Sequence, residues 1–272
     1  MGDEGAPPAP DDVAALEREN RILARRLHRL EENSQRLEDY GDSNARLLSQ
    51  LVSDLEVERA RSQQLLLNVL PQRIIDRLNA GETLIADRHD DVTVLFSDFV
   101  GFTEISARLP TAELIDELNE LFSGFDAICE STGVEKIKTI GDAYLAIGGL
   151  VDGAGDHAAA IAETAVRMIE LVVARADARV TWQVRIGLNR GSVAAGVIGT
   201  TKFVYDVWGD TVNVASRLEA ASLPGRIHVS DVLATALAGR YDLEPRGSID
   251  IKGKGPMATW FLAAPRARAA TS

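Results

Sequence analysis

The stretch VTVLFSDFVGFTEIS, residues 92–106, decides the fold. Residues 92–99 form an apolar run that is typical of a buried strand, and a turn at Gly101 and a short helix follow. The strand ends on Asp98, a carboxylate that has no packing reason to be there. Backbone N–H groups at a strand-to-helix turn bind anions, and a carboxylate beside them binds a divalent ion that bridges to phosphate. The alternative is that Asp98 only caps the helix or forms the turn.

A second carboxylate stands in EKIKTIGDAY, residues 135–144, where Asp142 follows Gly141 at the edge of an apolar strand. Two carboxylates presented from neighbouring strand ends hold two magnesium ions about 4 Å apart in two-metal enzymes. The alternative is an ordinary hairpin turn, because Gly-Asp is common turn chemistry. Lys138, four residues before Asp142, is a further charged residue in a segment that otherwise resembles core.

Outward from these two stretches, strand-like and helix-like segments alternate from residue 90 onward. A helix over residues 111–132 is predicted to begin with Thr111 as its cap. The other predicted elements are a hairpin around Gly141, a helix over 156–176, a strand over 180–191, and a helix over 209–222 after a strand KFVYDVW. This order predicts an α+β fold, with a mostly antiparallel sheet and helices packed on one side of it.

The N-terminal part has a different pattern. Residues 1–11 are rich in Pro, Gly and Asp and are expected to be disordered. Over residues 12–60, leucines recur every seven residues with a second apolar set three residues earlier, which predicts a parallel coiled coil in which Asn20 selects two strands. The alternative is one amphipathic helix docked on its own domain. Residues 61–86 are interpreted as a helical connector interrupted at Pro71 and stopped at Gly81.

The composition excludes several classes of protein. The chain has 272 residues and a formal charge of −12, which argues against a nucleic-acid binder or a protein drawn to anionic lipid. Cys129 is the only cysteine, so the chain forms neither an internal disulfide nor a cysteine-based metal cluster. No stretch has the roughly 20 apolar residues that a membrane span needs. We therefore expect a cytoplasmic protein with no membrane span.

Three blocks together resemble the class III nucleotide cyclases: VTVLFSDFVGFTEIS, VEKIKTIGDAYLA and YDVWGDTVNVASRLE. The similarity runs over roughly residues 90–262. It implies a ferredoxin-like catalytic domain, placed at residues 87–264, and a flexible tail over residues 265–272. It also implies a head-to-tail dimer, with both active sites built across the interface.

The resemblance assigns metal and phosphate ligands. Asp98 and Asp142 match the two metal-binding carboxylates, and the backbone carbonyl of Phe99 is a further ligand. Two Mg²⁺ or Mn²⁺ ions per active site are implied. The turn of Gly101, Phe102 and Thr103 would hold the phosphates.

The resemblance also assigns a base-selecting pair, Lys138 and Asp206. Adenine presents an acceptor at N1 and a donor at its 6-amino group, so it needs a donor such as Lys138 and an acceptor such as Asp206. Guanine reverses both groups, and family members that use guanine carry an acidic residue and usually a cysteine at these positions. The resemblance therefore implies ATP as the substrate.

Asn213 and Arg217 match two further family residues, an asparagine that orients the ribose and an arginine that stabilises charge on the α-phosphate. They are four residues apart and so lie on one face of the predicted helix. In DIKGKG, Lys252 is interpreted as the lysine that reaches the triphosphate, with Lys254 as the alternative. Some cyclases carry a phosphate-binding arginine before the YDVW strand. Here Thr201 and Lys202 stand in that region, and the contact stays unassigned.

These features predict a homodimeric adenylyl cyclase that forms 3′,5′-cyclic AMP and pyrophosphate from ATP. The dimer would be held by the catalytic domain and by the parallel coiled coil, on which an upstream regulatory partner could act. Two alternatives remain: a guanylyl cyclase, and a catalytically silent scaffold that binds nucleotide.

Overall fold

The computed structural model describes residues 10–67, 69–151, 155–175, 180–199 and 203–265. The chain divides into two compact units, Met1–Asn68 and Val69–Ser272. Among the described helices, none is both long and apolar enough to cross a bilayer.

The described part of the first unit is one helix, α1, Pro10–Leu67. The predicted disordered segment, residues 1–11, lies outside the described residues except for Pro10 and Asp11, which begin α1. The leucines of the seven-residue repeat are exposed, at 52% for Leu23, 66% for Leu30 and 72% for Leu37. The helix therefore presents an apolar seam that none of the described residues of its unit covers.

The second unit is an α+β domain with one large sheet, so the predicted fold class is confirmed. Its helices are α2 (Gln72–Asn79), α3 (Phe102–Ser106), α4 (Thr111–Thr132), α5 (His157–Ala174), α6 (Asp210–Ala220) and α7 (Asp231–Leu237). Its strands are β1 (Ala86–Phe99), β2 (Glu135–Ile140), β3 (Ala143–Gly148), β4 (Val184–Ile198), β5 (Val204–Trp208), β6 (Ile227–Ser230), β7 (Tyr241–Ile251) and β8 (Gly255–Pro265).

The sheet has the strand order β2-β3-β1-β4-β6-β8-β7, and β5 pairs with β4 outside this path. β4 and β6 run parallel, and the other strand pairs among the described residues run antiparallel. The centre of the sheet is the β1–β4 ladder, in which Asp98 lies opposite Arg185. The mostly antiparallel sheet is as predicted.

Helices cover both faces of the sheet, so the expectation that they lie on one side was wrong. Helices α4, α5 and α7 pack on the face that carries Leu95 and Ile186. Helix α2 packs on the opposite face, where Val94 lies. α6 lies on that face too, directly over Gly187, where an added Cβ would stand 2.2 Å from the Ala215 carbonyl oxygen. The missing side chain at Gly187 is the physical reason that α6 approaches so closely.

Helix α4 occupies the predicted residues, but its cap differs from the prediction. Pro110 stands at the N-cap position and Thr111 is the first helical residue, with no side-chain capping bond. The helix is instead stabilised by burial, because Leu121 and Phe125 lie fully in the core.

Candidate active site

Two carboxylates meet at the end of β1. Asp98 is the penultimate residue of β1, and Asp142 follows Gly141, whose φ of 63° forms the β2–β3 turn. Because Ser97 on β1 faces Tyr144 on β3, this turn lies beside the end of β1. Burial, followed by the hydrogen bond and negative charge of Asp98, raises the pKa of Asp142 to about 6. The two side chains predicted to act together are thus direct neighbours.

A guanidinium that the sequence reasoning missed lies between Asp98 and a third carboxylate. Arg185 on β4 donates from Nη2 to Asp98 Oδ2 at 3.0 Å, and its Nε lies 3.1 Å from Glu219 Oε1 without hydrogen-bond alignment. Glu219, on α6, is 5% exposed. Burial and the charge of Asp98 raise the pKa of Glu219 to about 7, although Arg185 opposes the shift. A charged residue inside the apolar strand VTWQVRIGL was the available signal.

The charge of this cluster fits a bound cation. Three carboxyl groups, Asp98, Asp142 and Glu219, share one guanidinium, so the site carries excess negative charge. No group of three or more His, Cys, Asp or Glu side chains in the described part of the chain forms a complete metal site. Magnesium nevertheless commonly binds through one or two carboxylates, with water and substrate phosphates as the other ligands. Asp98 and Asp142 fit that kind of incomplete site.

The turn after β1 presents backbone groups beside Asp98. The Phe99 side chain is 2% exposed and packs in the core, where its ring centroid lies 5.2 Å from that of Trp182, so its backbone is the part available to the site. Gly101 has a φ of 70° and accepts the first bonds of α3, from the N–H groups of Glu104 and Ile105. The N–H groups of Phe102 and Thr103 precede these bonds and have no intrahelical acceptor.

Lys138 and Asp206 contact each other directly, Nζ to Oδ2, although 68 residues separate them in the chain. Asp206 is also held by its own backbone, because Oδ1 accepts from the Val207 N–H at 2.9 Å. On β2 the register with β3 shifts between Lys136 and Lys138, an irregularity of the kind that redirects side chains. The Asp206 side chain is 13% exposed and that of Lys138 is 35% exposed.

Helix α6 carries Asn213 and Arg217 on its outward face. Asn213 is exposed and Arg217 half-buried, whereas Ala215 and Glu219 face the sheet. Arg217 donates from Nη1 to the carbonyl oxygen of Lys252 in the β7–β8 turn. This bond joins the helix to the loop that carries Lys252 and Lys254.

The two candidate lysines of that loop have different surroundings. Lys254 forms an ion pair with Asp210 at the start of α6. The Lys252 side chain is exposed, and among the contacts of the described residues only its carbonyl group has a partner. These surroundings favour Lys252 as the lysine available to a ligand. Thr201 and Lys202 lie outside the described residues.

The site residues thus form three groups within one chain. Asp98 and Asp142 form the first, Lys138 and Asp206 the second, and the α6 face with the Lys252 loop the third. Among the contacts of the described residues, no hydrogen bond or ion pair joins the first group to the second.

Comparison with known proteins gives the family of the chain. The family model "Adenylate and Guanylate cyclase catalytic domain" matches residues 84–264. An adenylate cyclase of Mycobacterium tuberculosis (strain ATCC 25618 / H37Rv) is 43% identical over 210 residues, which cover 76% of this chain and 47% of that protein. Human retinal guanylyl cyclase 2 is 41% identical over 248 residues, which cover 89% of this chain and 22% of that protein. The chain thus spans about half the length, or less, of these curated relatives.

Solved structures of both kinds of cyclase resemble the chain. The guanylate cyclase domain of RhGC from Catenaria anguillulae, in complex with GTP, matches with a TM-score of 0.64 at 39% identity, over 66% of this chain and 100% of that one. The adenylyl cyclase CyaB from P. aeruginosa matches with a TM-score of 0.62 at 29% identity, over 66% of this chain and 97% of that one. The chain belongs to the family of adenylate and guanylate cyclase catalytic domains, the class III nucleotide cyclases.

Proposed function

We propose that the chain is an adenylyl cyclase, which converts ATP to 3′,5′-cyclic AMP and pyrophosphate. The observation that carries the choice of ATP is the contact between Lys138 and Asp206. An ammonium group donates to adenine N1, and a carboxylate accepts from the 6-amino group. The backbone N–H of Val207 fixes the Asp206 carboxylate, which favours a defined hydrogen-bonding edge.

Asp98 and Asp142 are the proposed ligands of two Mg²⁺ or Mn²⁺ ions, together with the backbone carbonyl of Phe99. Such ions lower the pKa of the ribose 3′-hydroxyl and neutralise the triphosphate and the departing pyrophosphate. The role of the two carboxylates is to hold this positive charge at the end of β1. Arg185 holds Asp98 at 3.0 Å and so limits the positions of its carboxylate.

Asn213 and Arg217 are the proposed residues for the reacting centre. Asn213 orients the ribose, so that the 3′-oxygen approaches the α-phosphorus. A bond forms between these two atoms, the bond from the α-phosphorus to the bridging oxygen of pyrophosphate breaks, and the hydroxyl proton passes to water. The Arg217 guanidinium stabilises the negative charge that accumulates on the α-phosphate oxygens. Its hydrogen bond to the Lys252 carbonyl oxygen limits the positions of the guanidinium.

The β- and γ-phosphates are proposed to bind the Gly101–Phe102–Thr103 turn and Lys252. Free N–H groups at the start of α3 donate to phosphate oxygens. Lys252 adds the positive charge of an exposed side chain, whereas Lys254 is paired with Asp210.

We further propose that the active enzyme is a homodimer in which each site combines the carboxylates of one chain with Lys138, Asp206, Asn213 and Arg217 of the other. The separation of the site residues into groups within one chain supports this assembly. Exposed apolar side chains around β5 also support it: Phe203 is 46%, Val204 50% and Trp208 39% exposed. The coiled coil of residues 12–60 would raise the effective concentration of the second domain. The connector, residues 61–86, would pass movements of the coiled coil to the catalytic domains.

The test is cyclic nucleotide production by the purified chain, given ATP or GTP with Mg²⁺ or Mn²⁺. Cyclic AMP should form from ATP, and Asp142→Ala should abolish it. In a Lys138→Glu, Asp206→Cys double variant, the ratio of kcat/KM for ATP to that for GTP should fall about a hundredfold, because unpaired buried polar groups reject the wrong base.

Lys136→Glu is the matched control, because Lys136 lies on the same strand but pairs with Asp126. It should leave the ratio within about twofold of the unmodified chain, as is usual for surface substitutions. Cyclic GMP as the main product of the unmodified chain would establish the guanylyl cyclase alternative, which the 41% identity to retinal guanylyl cyclase 2 keeps in consideration. No product from either nucleotide, with the dimer intact, would favour the scaffold alternative.

A further inference from the structure

Helix α2 of the connector is attached to both strands that carry the Lys138–Asp206 pair. Arg73 on α2 donates two bonds to Glu135, from Nη1 at 2.6 Å and from Nη2 at 2.9 Å. The same guanidinium donates from Nη2 to Tyr205 Oη at 2.8 Å and lies 5.4 Å from the centroid of the Tyr205 ring. Glu135 begins β2, three residues before Lys138, and Tyr205 directly precedes Asp206 on β5.

Strands β2 and β5 have no backbone hydrogen bonds to each other. β2 is the edge strand that pairs with β3, and β5 pairs with β4 outside the main path of the sheet. The hydrogen bonds that connect these two strands are therefore made by side chains. Besides the Lys138–Asp206 pair itself, the described hydrogen bonds between the two strands pass through Arg73. A bidentate guanidinium fixes distance and orientation more strictly than a single point charge does.

Helix α2 is packed tightly on the sheet, so Arg73 moves when the helix moves. Ile74 is 1% exposed and Ile75 is 3% exposed, and both belong to the buried cluster that contains Tyr205 and Leu145. Leu145 lies opposite Lys138 in the β2–β3 register. Packed interiors shift as units rather than deform continuously, so a movement of α2 moves Arg73 and its two partners together.

We propose that Arg73 is a positioning residue that sets the spacing of Lys138 and Asp206, so that movement of the connector controls recognition of the base. This inference rests on the proposed function of that pair and adds a route for its regulation. The connector then acts on the base-binding half of the site, whereas Asp98 at the end of β1 is held separately by Arg185.

Arg77 provides a matched control on the same helix. It forms ion pairs with Glu82 and Asp87, and neither of these partners lies on β2 or β5. Arg73→Met and Arg77→Met each remove one guanidinium and keep an apolar stem. A general loosening of α2 would affect both variants, whereas the proposed spacing depends on Arg73.

The experiment measures equilibrium binding of 3′-deoxy-ATP and 3′-deoxy-GTP, which lack the attacking hydroxyl, to the full chain with Mg²⁺. Residues of one hydrogen-bonded network couple strongly, so Arg73→Met should raise the Kd of 3′-deoxy-ATP about tenfold. The Kd of 3′-deoxy-GTP should change less than about threefold, since the pair does not match guanine, and Arg77→Met should leave both within about twofold. Equal weakening for both nucleotides, or equal effects of both variants, would overturn the proposal.

Tyr205→Phe removes only the hydroxyl that Arg73 contacts and tests the same link if Arg73→Met does not fold. It should raise the Kd of 3′-deoxy-ATP about threefold, the effect of one hydrogen bond, and an unchanged Kd would contradict the proposal. If the unmodified chain prefers 3′-deoxy-GTP, the adenine assignment is wrong, but the role of Arg73 is not yet refuted. That role is then tested by the effect of Arg73→Met on the Kd of 3′-deoxy-GTP. Absence of binding to the unmodified chain would overturn both.

Discussion

Replacement of Arg185 by Met should destabilise the catalytic unit, and more so at pH 8 than at pH 6. Arg185 is the one guanidinium in contact with both Asp98 and Glu219 among the described residues. Because the folded-state pKa of Glu219 is raised to about 7, the folded protein binds this proton more tightly than the unfolded chain does. The stabilising contribution of protonated Glu219 is therefore full below its ordinary pKa and is lost as the pH rises through about 7.

The magnitude follows from these pKa values. At pH 6 Glu219 is mostly protonated, so the variant loses mainly the Arg185–Asp98 pair, which is partly exposed and contributes about 1 kcal/mol. At pH 8 the unmodified protein ionises Glu219 against Arg185, whereas the variant keeps Glu219 protonated. At one pH unit above the folded-state pKa, ionisation of Glu219 stabilises the unmodified protein by about 1.4 kcal/mol relative to a form that keeps the proton. The loss of unfolding free energy should therefore be about 1 kcal/mol at pH 6 and about 2 kcal/mol at pH 8. Arg185 also lowers the pKa of Asp142, and its removal acts in the same direction.

Urea unfolding of the metal-free chain, followed by tryptophan fluorescence at the two pH values, measures this difference. Glu219→Gln is the control background, because it removes the titrating group and keeps the side-chain shape. In that background, the extra cost of Arg185→Met at pH 8 should shrink to the part that comes from Asp142. An equal cost at both pH values in the unmodified background would refute the assignment of the pH dependence to the Arg185–Glu219 contact.

Two further predictions concern α6 and the coiled coil. Gly187→Ala should lower the free energy of unfolding by about 1 to 3 kcal/mol and reduce activity, since the new Cβ would lie 2.2 Å from the Glu219 backbone nitrogen; unchanged urea unfolding would contradict the close packing of α6. Leu23→Ser with Leu30→Ser should weaken dimerisation at least tenfold, about 1.4 kcal/mol, in analytical ultracentrifugation. The control, Leu47→Ser, changes an exposed leucine outside the repeat and should leave the dimer unchanged.

The sequence predicted those helices and strands that have a strong hydrophobic pattern of their own. Helix α4 has a continuous apolar face, and its bounds at Thr111 and Thr132 agree with the prediction. β1 begins at Ala86 rather than at residue 92, because its first half, ADRHDD, is polar and shows no alternation. β6, α7, β7 and β8 were not predicted at all. β6 has only four residues, and β7 is largely exposed, so neither has a strong hydrophobic period.

Some residues of the candidate site could likewise be predicted from the sequence, and others could not. Roles could be predicted for residues within the three signature blocks because those blocks resemble the ones of the class III nucleotide cyclases. Arg73 was missed because its partners, Glu135 and Tyr205, lie 62 and 132 residues away, and no local pattern indicates a contact at such separations. Glu219 was missed although it lies two residues after Arg217, because a glutamate on a helix is usually solvated.

The two faces of helix α6 carry residues of two different active sites in the proposed dimer. Asn213 and Arg217 lie about 200° around the helix from Ala215 and Glu219, because successive residues turn by about 100°. The inner face, through Glu219 and Arg185, reaches the Asp98 of its own chain. In the proposed dimer, the outer face serves the site that contains the carboxylates of the other chain. One rigid helix then belongs to both active sites, and a displacement that loosens Asp98 in one site also moves the ribose and α-phosphate residues of the other. The two sites of the homodimer are therefore expected to be coupled through α6, whereas the connector acts through Arg73 on the base-selecting pair.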